Sequence, residues 1–274
     1  MNRIYLVLKR PLLALVLFFV FQLFSSLAVM LLQMLTGGGG FLENLSNRAF
    51  EPRLMGISSL CSNVLIAIVS LFLFRRGIYV ADSFTPVSST WRKGLVALLG
   101  CIFGAVALDL LSELLVLPNI LEDQMVAMCA NPWGALAIAI GAPLGEEMLF
   151  RWGIMGHMLR RDCGVFLSIL ISSILFGLAH MNPAQVFFAT VMGVMLGVLY
   201  WRSGSLLLPL VLHALNNSIA CLQVWLLGDK VKDFSMVESF GGNATSWCLV
   251  GIFLTVCIGI LGWYCLSDGR AKNV

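Results

Sequence analysis

The sequence predicts an all-α, polytopic membrane protein, a bundle of about eight transmembrane helices. Hydrophobic residues make up 59% of its 274 residues and charged residues only 11%, whereas soluble domains carry about a quarter charged residues. Apolar runs of about 20 residues, enough to span a bilayer as a helix, recur along the chain. The runs lack the alternation of barrel strands, which leaves helices as the backbone that can cross lipid. No soluble domain is indicated, and residues 1–274 are expected to form a single membrane domain.

Eight apolar runs are the predicted spans. The first begins after Arg3, Lys9 and Arg10 and is too long for a signal peptide, whose apolar core has about 7–15 residues, so a retained helix is expected. The fifth and sixth runs are the shortest, and the Asn182-Pro183 pair separates them. By residue number the runs are 11–35, 55–74, 94–117, 132–158, 164–181, 185–201, 206–227 and 245–266.

Glycine and charged residues separate the runs from one another. Glycines at 37–40 follow the first run, and Arg75-Arg76-Gly77 ends the second. Arg160-Arg161-Asp162 ends the fourth run, and Arg202-Ser203-Gly204-Ser205 ends the sixth. No internal repeat is evident, so a transporter built from inverted repeats gains no support.

Lysine and arginine residues near the run ends predict the orientation, because cytoplasmic loops are enriched in them. With a cytoplasmic N-terminus, twelve lie on the cytoplasmic side and four on the other. Eight spans return the chain to its starting side, so both termini are expected in the cytoplasm. The short loops favour a prokaryotic plasma (inner) membrane, with the endoplasmic reticulum as the alternative. The twelve are Arg3, Lys9, Arg10, Arg75, Arg76, Arg92, Lys93, Arg160, Arg161, Arg202, Arg270 and Lys272, and the four are Arg48, Arg53, Lys230 and Lys232.

Charged side chains inside an apolar run are the first candidates for function. A charge at the bilayer centre costs roughly 2.5–3.5 kcal/mol on insertion scales, so such residues are usually paired or line a wet cavity. The fourth run contains Glu146, Glu147 and Arg151. Glu147 and Arg151 are i, i+4 neighbours on one α-helical face and can neutralise each other. Glu146 is rotated by about 100° from Glu147, so its carboxylate is expected to be available.

Two of the three histidines also lie in apolar runs. His180 is near the end of the fifth run, with Phe176 one turn earlier on the same face, and His213 shares a face of the seventh run with Asn217. By residue count Glu146 and His213 lie near mid-membrane, whereas His180 lies near the non-cytoplasmic end, so the fifth helix must tilt or begin deeper if they are to meet. Interhelical polar contacts explain any one of these residues but not the whole set on three helices.

These side chains can together hydrolyse an amide. A carboxylate in an apolar pocket has a raised proton affinity and can be the general base for water, a role that fits Glu146. His180 can orient the same water or protonate the leaving amine. His213 and Asn217 can donate hydrogen bonds to the oxyanion of a tetrahedral intermediate. No serine or cysteine lies in a recognisable nucleophile motif, so water is the expected nucleophile.

Three motifs, which follow one another along the chain and lie on separate predicted helices, together resemble the signature of a known family. This family is the CAAX protease and bacteriocin-processing family of intramembrane glutamic endopeptidases. The motifs are Glu146-Glu147-x-x-x-Arg151, Phe176-x-x-x-His180 and His213-x-x-x-Asn217. The resemblance covers a core of roughly residues 130–227. It implies an eight-helix fold with a conical, cytoplasm-facing cavity that is also open to lipid. The family includes the endopeptidase that removes the last three residues of prenylated CAAX proteins.

The resemblance also implies the roles of individual residues. Glu146 matches the family's water-activating glutamate, with His180 as its partner in that task. His213 and Asn217 match the residues assigned to the oxyanion hole. No cofactor is implied, and the expected partners are membrane lipid and a peptide or lipidated-protein substrate.

Further polar residues have supporting or open roles. Glu147 and Arg151 match the family's flanking pair, which would hold the motif helix in place, and Phe176 is expected to support the site beside them. Asp109 and Glu113 lie at i, i+4 in the third run. They are left with three interpretations: part of a substrate path, partners of Arg151, or residues that face solvent near a helix end.

Other functions remain open at this point. Two histidines and a glutamate are also a hydrolytic zinc set, although H-E-x-x-H is absent and the eight cysteines show no metal-binding spacing. A non-catalytic membrane scaffold or bacteriocin self-immunity protein would keep the motifs for packing or binding. A transporter could use Glu and His as a proton relay. The net charge of +3 does not indicate nucleic-acid binding, and the oligomeric state is open.

Overall fold

The computed structural model describes residues 3–36, 51–74 and 91–267, and every regular element in these ranges is helical. In chain order the helices are α1 (Arg3–Thr36), α2 (Pro52–Phe74), α3 (Trp91–Leu114), α4 (Glu122–Ala130), α5 (Pro132–Leu159), α6 (Val165–Leu178), α7 (Pro183–Ser203), α8 (Leu207–Leu227), α9 (Met236–Ser239) and α10 (Asn243–Leu266). α5 combines α-helical and π-helical stretches, and a 3-10 turn, Gly228–Asp233, follows α8.

Seven of the described helices are long and apolar enough to cross a membrane, and α6 is a shorter apolar helix. The prediction of an all-α polytopic membrane protein is therefore confirmed. Each predicted apolar run coincides with one of these helices, whereas α4 is not among the predicted spans. α6 has 14 residues, fewer than the roughly 17 that span a bilayer. The predicted run 164–181 is thus only partly helical.

The connection between α6 and α7 shows why α6 is short. Met181 has a positive φ of 53°, a left-handed conformation that ends a right-handed helix. Asn182 is extended and Pro183 begins α7, the helix position that proline tolerates best. Because the residue before a proline is disfavoured in the α-helical conformation, the break predicted at Asn182-Pro183 is confirmed.

The chain divides into two compact units. The first contains the described residues of Met1–Arg75, Leu121–Leu149 and Ala214–Val231, and the second contains those of Arg76–Ile120, Phe150–His213 and Lys232–Val274. The divisions fall inside α5 and α8, so each of these helices contributes to both units. The expected single membrane domain, with its core at 130–227, stays a prediction.

In the first unit, α2 packs against α1 and against the beginning of α5. Ser62 on α2 donates a hydrogen bond of 2.8 Å to Gln22 on α1, the kind of polar contact that joins helices in lipid. Gly56 allows the backbones of α2 and α5 to approach, since a Cβ there would lie 2.5 Å from the Gly134 nitrogen. α4 and α8 share a buried apolar cluster with α5.

In the second unit, α3 packs against α7 and α10, and α6 packs against α7. Gly104 on α3 lies where Met195 and Cys257 meet, and a Cβ there would lie 2.7 Å from either sulfur. Arg202 near the end of α7 is buried and donates to the Tyr264 carbonyl at 3.0 Å. A carbonyl at the end of α10 that has no intrahelical partner is satisfied in this way.

Gly56→Ala is expected to destabilise the protein, because a methyl group has no space between the α2 and α5 backbones. Overpacking of this kind costs about 1–3 kcal/mol, so the melting temperature in detergent should fall. Gly259→Ala on α10 is the matched control, since no atom lies within 4 Å of a Cβ at that position and alanine favours a helix interior by roughly 0.5–1 kcal/mol. Equal melting temperatures for the two variants would contradict the close approach.

Candidate active site

α5 changes its winding where the acidic motif lies. Glu147–Met155 is a π-helix, in which hydrogen bonds join residues five apart rather than four. The α-helical winding expected for this segment is therefore wrong, whereas the pairing of Glu147 with Arg151 and the availability of Glu146 stay predictions. A neighbouring helix bonds to the same stretch: the Ser172 hydroxyl on α6 donates to the Phe150 carbonyl at 2.7 Å. π-helical turns are rare and occur frequently at functional sites.

Arg151 is completely buried in the second unit. Its guanidinium carbon lies 4.2 Å from the centre of the Phe176 ring, and such a cation–π contact is worth about 2 kcal/mol when desolvated. Its Nη2 donates to the Gly193 carbonyl on α7 at 3.4 Å. A Cβ on Gly193 would lie 3.2 Å from Nη2 and 3.0 Å from the Ser173 Cβ. Because Gly193 has no side chain, it leaves room for the Arg151 guanidinium.

The side chains of Arg151, His180 and His213 all contact the ring of Phe176. The Phe176 side chain is buried, with 1% of its surface exposed. Its centre lies 5.0 Å from the His180 ring and 5.5 Å from the His213 ring, both edge to face. The Phe150 ring lies 5.3 Å away in a similar arrangement. Aromatic pairs of this geometry are each worth about 0.5–1.5 kcal/mol beyond the burial of their surface. Arg151, His180 and His213 therefore surround one aromatic side chain.

The two histidines come together although residue count places them at different membrane depths. α6 stops at Leu178, and His180 lies in the turn that follows, four residues beyond Phe176. With 14 residues, α6 is shorter than a full membrane span. Both imidazoles contact the same ring.

The His180 imidazole has a defined orientation. Its Nδ1 lies 2.9 Å from the Phe176 carbonyl oxygen, and because a carbonyl can only accept, Nδ1 carries the proton. Nε2 is then the nitrogen that can accept a hydrogen bond. Burial in the turn beyond the end of α6 lowers the pKa of His180, the Phe176 carbonyl opposes this shift, and the charge of Arg151 adds to it. The neutral form of the ring is therefore favoured.

Glu146, Glu147 and Asn217 belong to the first unit. Glu147 is buried, and Glu146 and Asn217 are half-buried. α2 passes close to the acidic motif, since a Cβ on Gly145 would lie 2.7 Å from Asn63 Oδ1. The Asn217 amide donates one N–H to a backbone carbonyl of α5 at 2.9 Å, and it carries a second N–H. The meeting of these three residues with the histidines stays a prediction.

The two acidic residues of α3 have different surroundings. The Glu113 carboxylate accepts hydrogen bonds from the Ser235 hydroxyl and from the Met236 backbone N–H, the latter at 3.0 Å. It thereby caps the N-terminus of α9, where backbone N–H groups lack partners within the helix. Asp109 is exposed on α3, as expected if it faces away from the helix packing. Glu113 therefore has a structural role as a helix cap, which is not among the three interpretations that the sequence leaves open.

A zinc site, which the sequence leaves open, requires about three protein ligands in close proximity. Within the described residues, no group of three or more His, Cys, Asp or Glu side chains is placed to hold a metal ion. Nδ1 of His180 is already bonded to the Phe176 carbonyl. A metal at this imidazole would therefore have to bind through Nε2, and a chelator tests that alternative.

Ser172, Asn182 and Gly193 shape the candidate site but are not among the residues predicted from the sequence. Small and weakly polar residues are common between membrane helices, so their presence alone carries no signal. Only the tertiary structure shows that Ser172 bonds to the π-helix and that Gly193 accepts from Arg151. The Asn182-Pro183 pair indicates a break in the chain and gives no hint of a hydrogen-bond partner.

Comparison with known proteins adds independent information. A family model described as "Type II CAAX prenyl endopeptidase Rce1-like" matches residues 129–219, a range that contains every candidate site residue. An uncharacterized 24.3 kDa protein of Escherichia coli is 35% identical over 177 residues, covering 58% of this chain and 76% of that protein. "Putative membrane peptidase YdiL" of Bacillus subtilis (strain 168) is 29% identical over 93 residues, covering 34% of this chain and 38% of that protein. No solved structure matches the chain.

The helical membrane fold and these matches together define the class, a polytopic membrane protease. The family match contains the buried arginine and both histidines of the Phe176 cluster. The chain belongs to the Rce1-like family of type II CAAX prenyl endopeptidases. The family resemblance that the three motifs indicate is therefore confirmed.

Phe176→Leu is expected to destabilise the second unit and to lower peptidase activity, because the edge-to-face contacts and the cation–π contact of this ring are lost. The three aromatic pairs, at about 0.5–1.5 kcal/mol each, put the loss at roughly 1.5–4.5 kcal/mol. Phe166→Leu is the matched control on the same helix, since Phe166 is 79% exposed. Thermal unfolding in detergent measures both, and unchanged unfolding of Phe176→Leu would rule out the ring as the common support.

Proposed function

We propose that the chain is an intramembrane glutamic endopeptidase that hydrolyses a peptide bond of a membrane-associated, prenylated protein. Glu146 is the general base for the attacking water and His180 is its partner. His213 and Asn217 donate hydrogen bonds to the oxyanion. The observation that carries the proposal is the position of both imidazoles at the Phe176 ring, and membership of the Rce1-like family supports the choice of substrate class.

The proposed reaction proceeds without a covalent enzyme intermediate. Glu146 takes a proton from water while the water oxygen bonds to the carbon of the scissile carbonyl. The carbonyl oxygen becomes an oxyanion, and donors such as His213 and the second N–H of Asn217 stabilise it. When the C–N bond breaks, the proton held by Glu146 passes to the leaving nitrogen. The products are a shortened chain with a new carboxyl group and a released peptide with a new amine.

The tautomer of His180 suits its proposed role. Nδ1–H is bonded to the Phe176 carbonyl, so Nε2 can accept a hydrogen bond from the attacking water. The lowered pKa of His180 keeps this acceptor available at neutral pH. Protonation would remove the acceptor, so the contribution of His180 is present above its pKa and is lost as the pH falls through that pKa.

Arg151, Phe176 and Glu147 are proposed to support the site and not to react. A buried guanidinium must be compensated within the protein, because an unpaired charge in an apolar interior costs several kcal/mol. In the second unit the Phe176 face and the Gly193 carbonyl supply part of this compensation. The same contacts tie α5 to α6 and α7. Glu147, buried on the same helix, belongs to the same sequence motif.

The location of the protein is part of the proposal. The distribution of lysine and arginine supports a cytoplasmic location for both termini, and the short loops support a prokaryotic plasma membrane. A cavity that faces the cytoplasm would admit the C-terminus of a lipidated protein while its prenyl chain stays in lipid. Membrane lipid is therefore an expected partner together with the substrate.

Glu146→Gln is expected to abolish cleavage of a farnesylated CAAX peptide by the purified protein in detergent. The amide keeps the shape of the side chain but cannot take a proton, and loss of a general base typically costs about 10²–10⁴-fold in rate. The rate is measured by mass spectrometry of the released peptide. Glu122→Gln on α4 is the matched control, since Glu122 is exposed, and it should cleave at the wild-type rate.

The same assay separates the alternatives. Cleavage that survives a chelator but is lost in Glu146→Gln supports the glutamic mechanism, whereas cleavage that the chelator removes supports a zinc enzyme. A wild type that binds the farnesylated peptide without cutting it would support a scaffold or self-immunity role. Full activity of Glu146→Gln would refute the general-base assignment.

Fusion proteins are expected to place both termini in the cytoplasm of a bacterial host. A fluorescent reporter that folds only in the cytoplasm should be bright at either end, and alkaline phosphatase, which is active only in the periplasm, should be inactive at both. The physical reason is the excess of cationic residues on the side of the termini. An active phosphatase at either terminus would contradict this orientation.

A further inference from the structure

The turn that carries His180 is joined to the loop after α3 by the side chain of Asn182. Asn182 is 0% exposed. Its Nδ2 donates to Asn119 Oδ1 at 2.7 Å, and its Oδ1 accepts from the Ile120 backbone N–H at 3.1 Å. The Ala184 N–H donates to the Pro118 carbonyl at 3.1 Å. These three hydrogen bonds are called the asparagine clasp below.

The position of Asn182 makes this use of its side chain unusual. Asn182 precedes the first residue of α7, the position where asparagine commonly accepts from the first N–H groups of the helix. Its side chain makes no such capping bond. Both groups of the amide are directed instead at residues 119 and 120, which are 62 or more positions earlier in the chain.

Both segments joined by the clasp contain a strained residue. Met181 has a φ of 53° and Val116 a φ of 51°, and the left-handed region is unfavourable for non-glycine residues, above all for a β-branched one. Such conformations persist only where surrounding contacts hold them. The asparagine clasp supplies such contacts at Asn182, which directly follows Met181 and lies two residues after His180.

We propose that Asn182, through its hydrogen bond to Asn119, is a positioning residue that holds the His180 imidazole in its Nδ1–H tautomer beside Phe176. The inference rests on the proposed role of His180 as partner of the general base. Without the clasp, the turn after α6 can relax from its left-handed conformation and carry His180 away from the Phe176 carbonyl. Nδ1 then loses its acceptor, and Nε2 is no longer directed at the water.

Asn119 offers a clean test because its side chain is exposed, so a substitution there disturbs no packing. Asn119→Ala removes the acceptor for Asn182 Nδ2. Asn119→Asp keeps an acceptor oxygen at the same place and is the matched control. Both variants are compared with the wild type after their melting temperatures have confirmed that they are folded.

The primary readout is the ¹⁵N NMR spectrum of protein labelled at its three histidines, with His180→Gln used to assign the signals. The wild type and Asn119→Asp should show His180 protonated at Nδ1 alone, and Asn119→Ala should show a mixture of the two tautomers. Cleavage of the farnesylated CAAX peptide is the second readout. Its kcat should fall on the order of tenfold in Asn119→Ala with KM unchanged, because misplacing a reacting group slows chemistry and not binding.

Each outcome decides the proposal. A tautomer mixture in Asn119→Ala with a wild-type spectrum in Asn119→Asp supports it. A wild-type His180 spectrum in Asn119→Ala overturns it, and so does an Asn119→Asp variant that behaves like Asn119→Ala. If the folded wild type does not cleave the peptide at all, the proposed function fails, while the NMR comparison still decides whether the clasp positions His180.

Discussion

A fully buried arginine is the constraint on which the second unit depends. The Arg151 guanidinium has no access to solvent, and a cation in an apolar interior is tolerated only where the protein replaces its hydration. The Phe176 ring covers it at 4.2 Å and the Gly193 carbonyl accepts from it. Each of these partners belongs to a different helix, so the two contacts are kept only while α5, α6 and α7 stay together.

The packing of α6 against α7 follows from the same requirement. Gly177, next to Phe176, lies so close to α7 that a Cβ there would be 1.9 Å from the Thr190 hydroxyl oxygen and 2.7 Å from the Val186 carbonyl. The close approach places the Phe176 ring over the Arg151 guanidinium. The same ring also contacts both histidines. Structural support and candidate chemistry are therefore not separable in this unit. A displacement of one aromatic ring changes the compensation of the charge and the position of the imidazoles together.

The fold is largely predictable from the sequence, because the cost of polar groups in lipid dominates it. Long apolar runs leave helices as the choice, and their limits agree with the helices observed. The exception is α6, whose apolar run extends over a turn that Met181 and Asn182 break. Hydrophobicity cannot reveal this, since apolar residues suit a turn at the end of a helix as well as a span.

The candidate site is predictable in its residue types and less so in its geometry. Charged and imidazole side chains in apolar runs are costly and therefore conspicuous, and this identifies Arg151, His180 and His213. The π-helical winding of α5 has no visible signal in the sequence, and the hydrogen bond of Ser172 to it requires a second helix that only the tertiary structure brings near. Glu113 is a different case, because the sequence leaves its role open and only the structure shows that it caps α9.

His180 shows how the structure divides polar atoms between support and chemistry. An imidazole has two nitrogens, and in an apolar interior each polar atom without a partner carries a desolvation cost of about 1–3 kcal/mol. The Phe176 carbonyl satisfies Nδ1, which fixes the tautomer and leaves the lone pair on Nε2. In the proposed mechanism, that lone pair accepts a hydrogen bond from the attacking water. The interaction that orders the ring therefore also determines which of its atoms is available for a reactant, so its orientation matters to function as much as its presence.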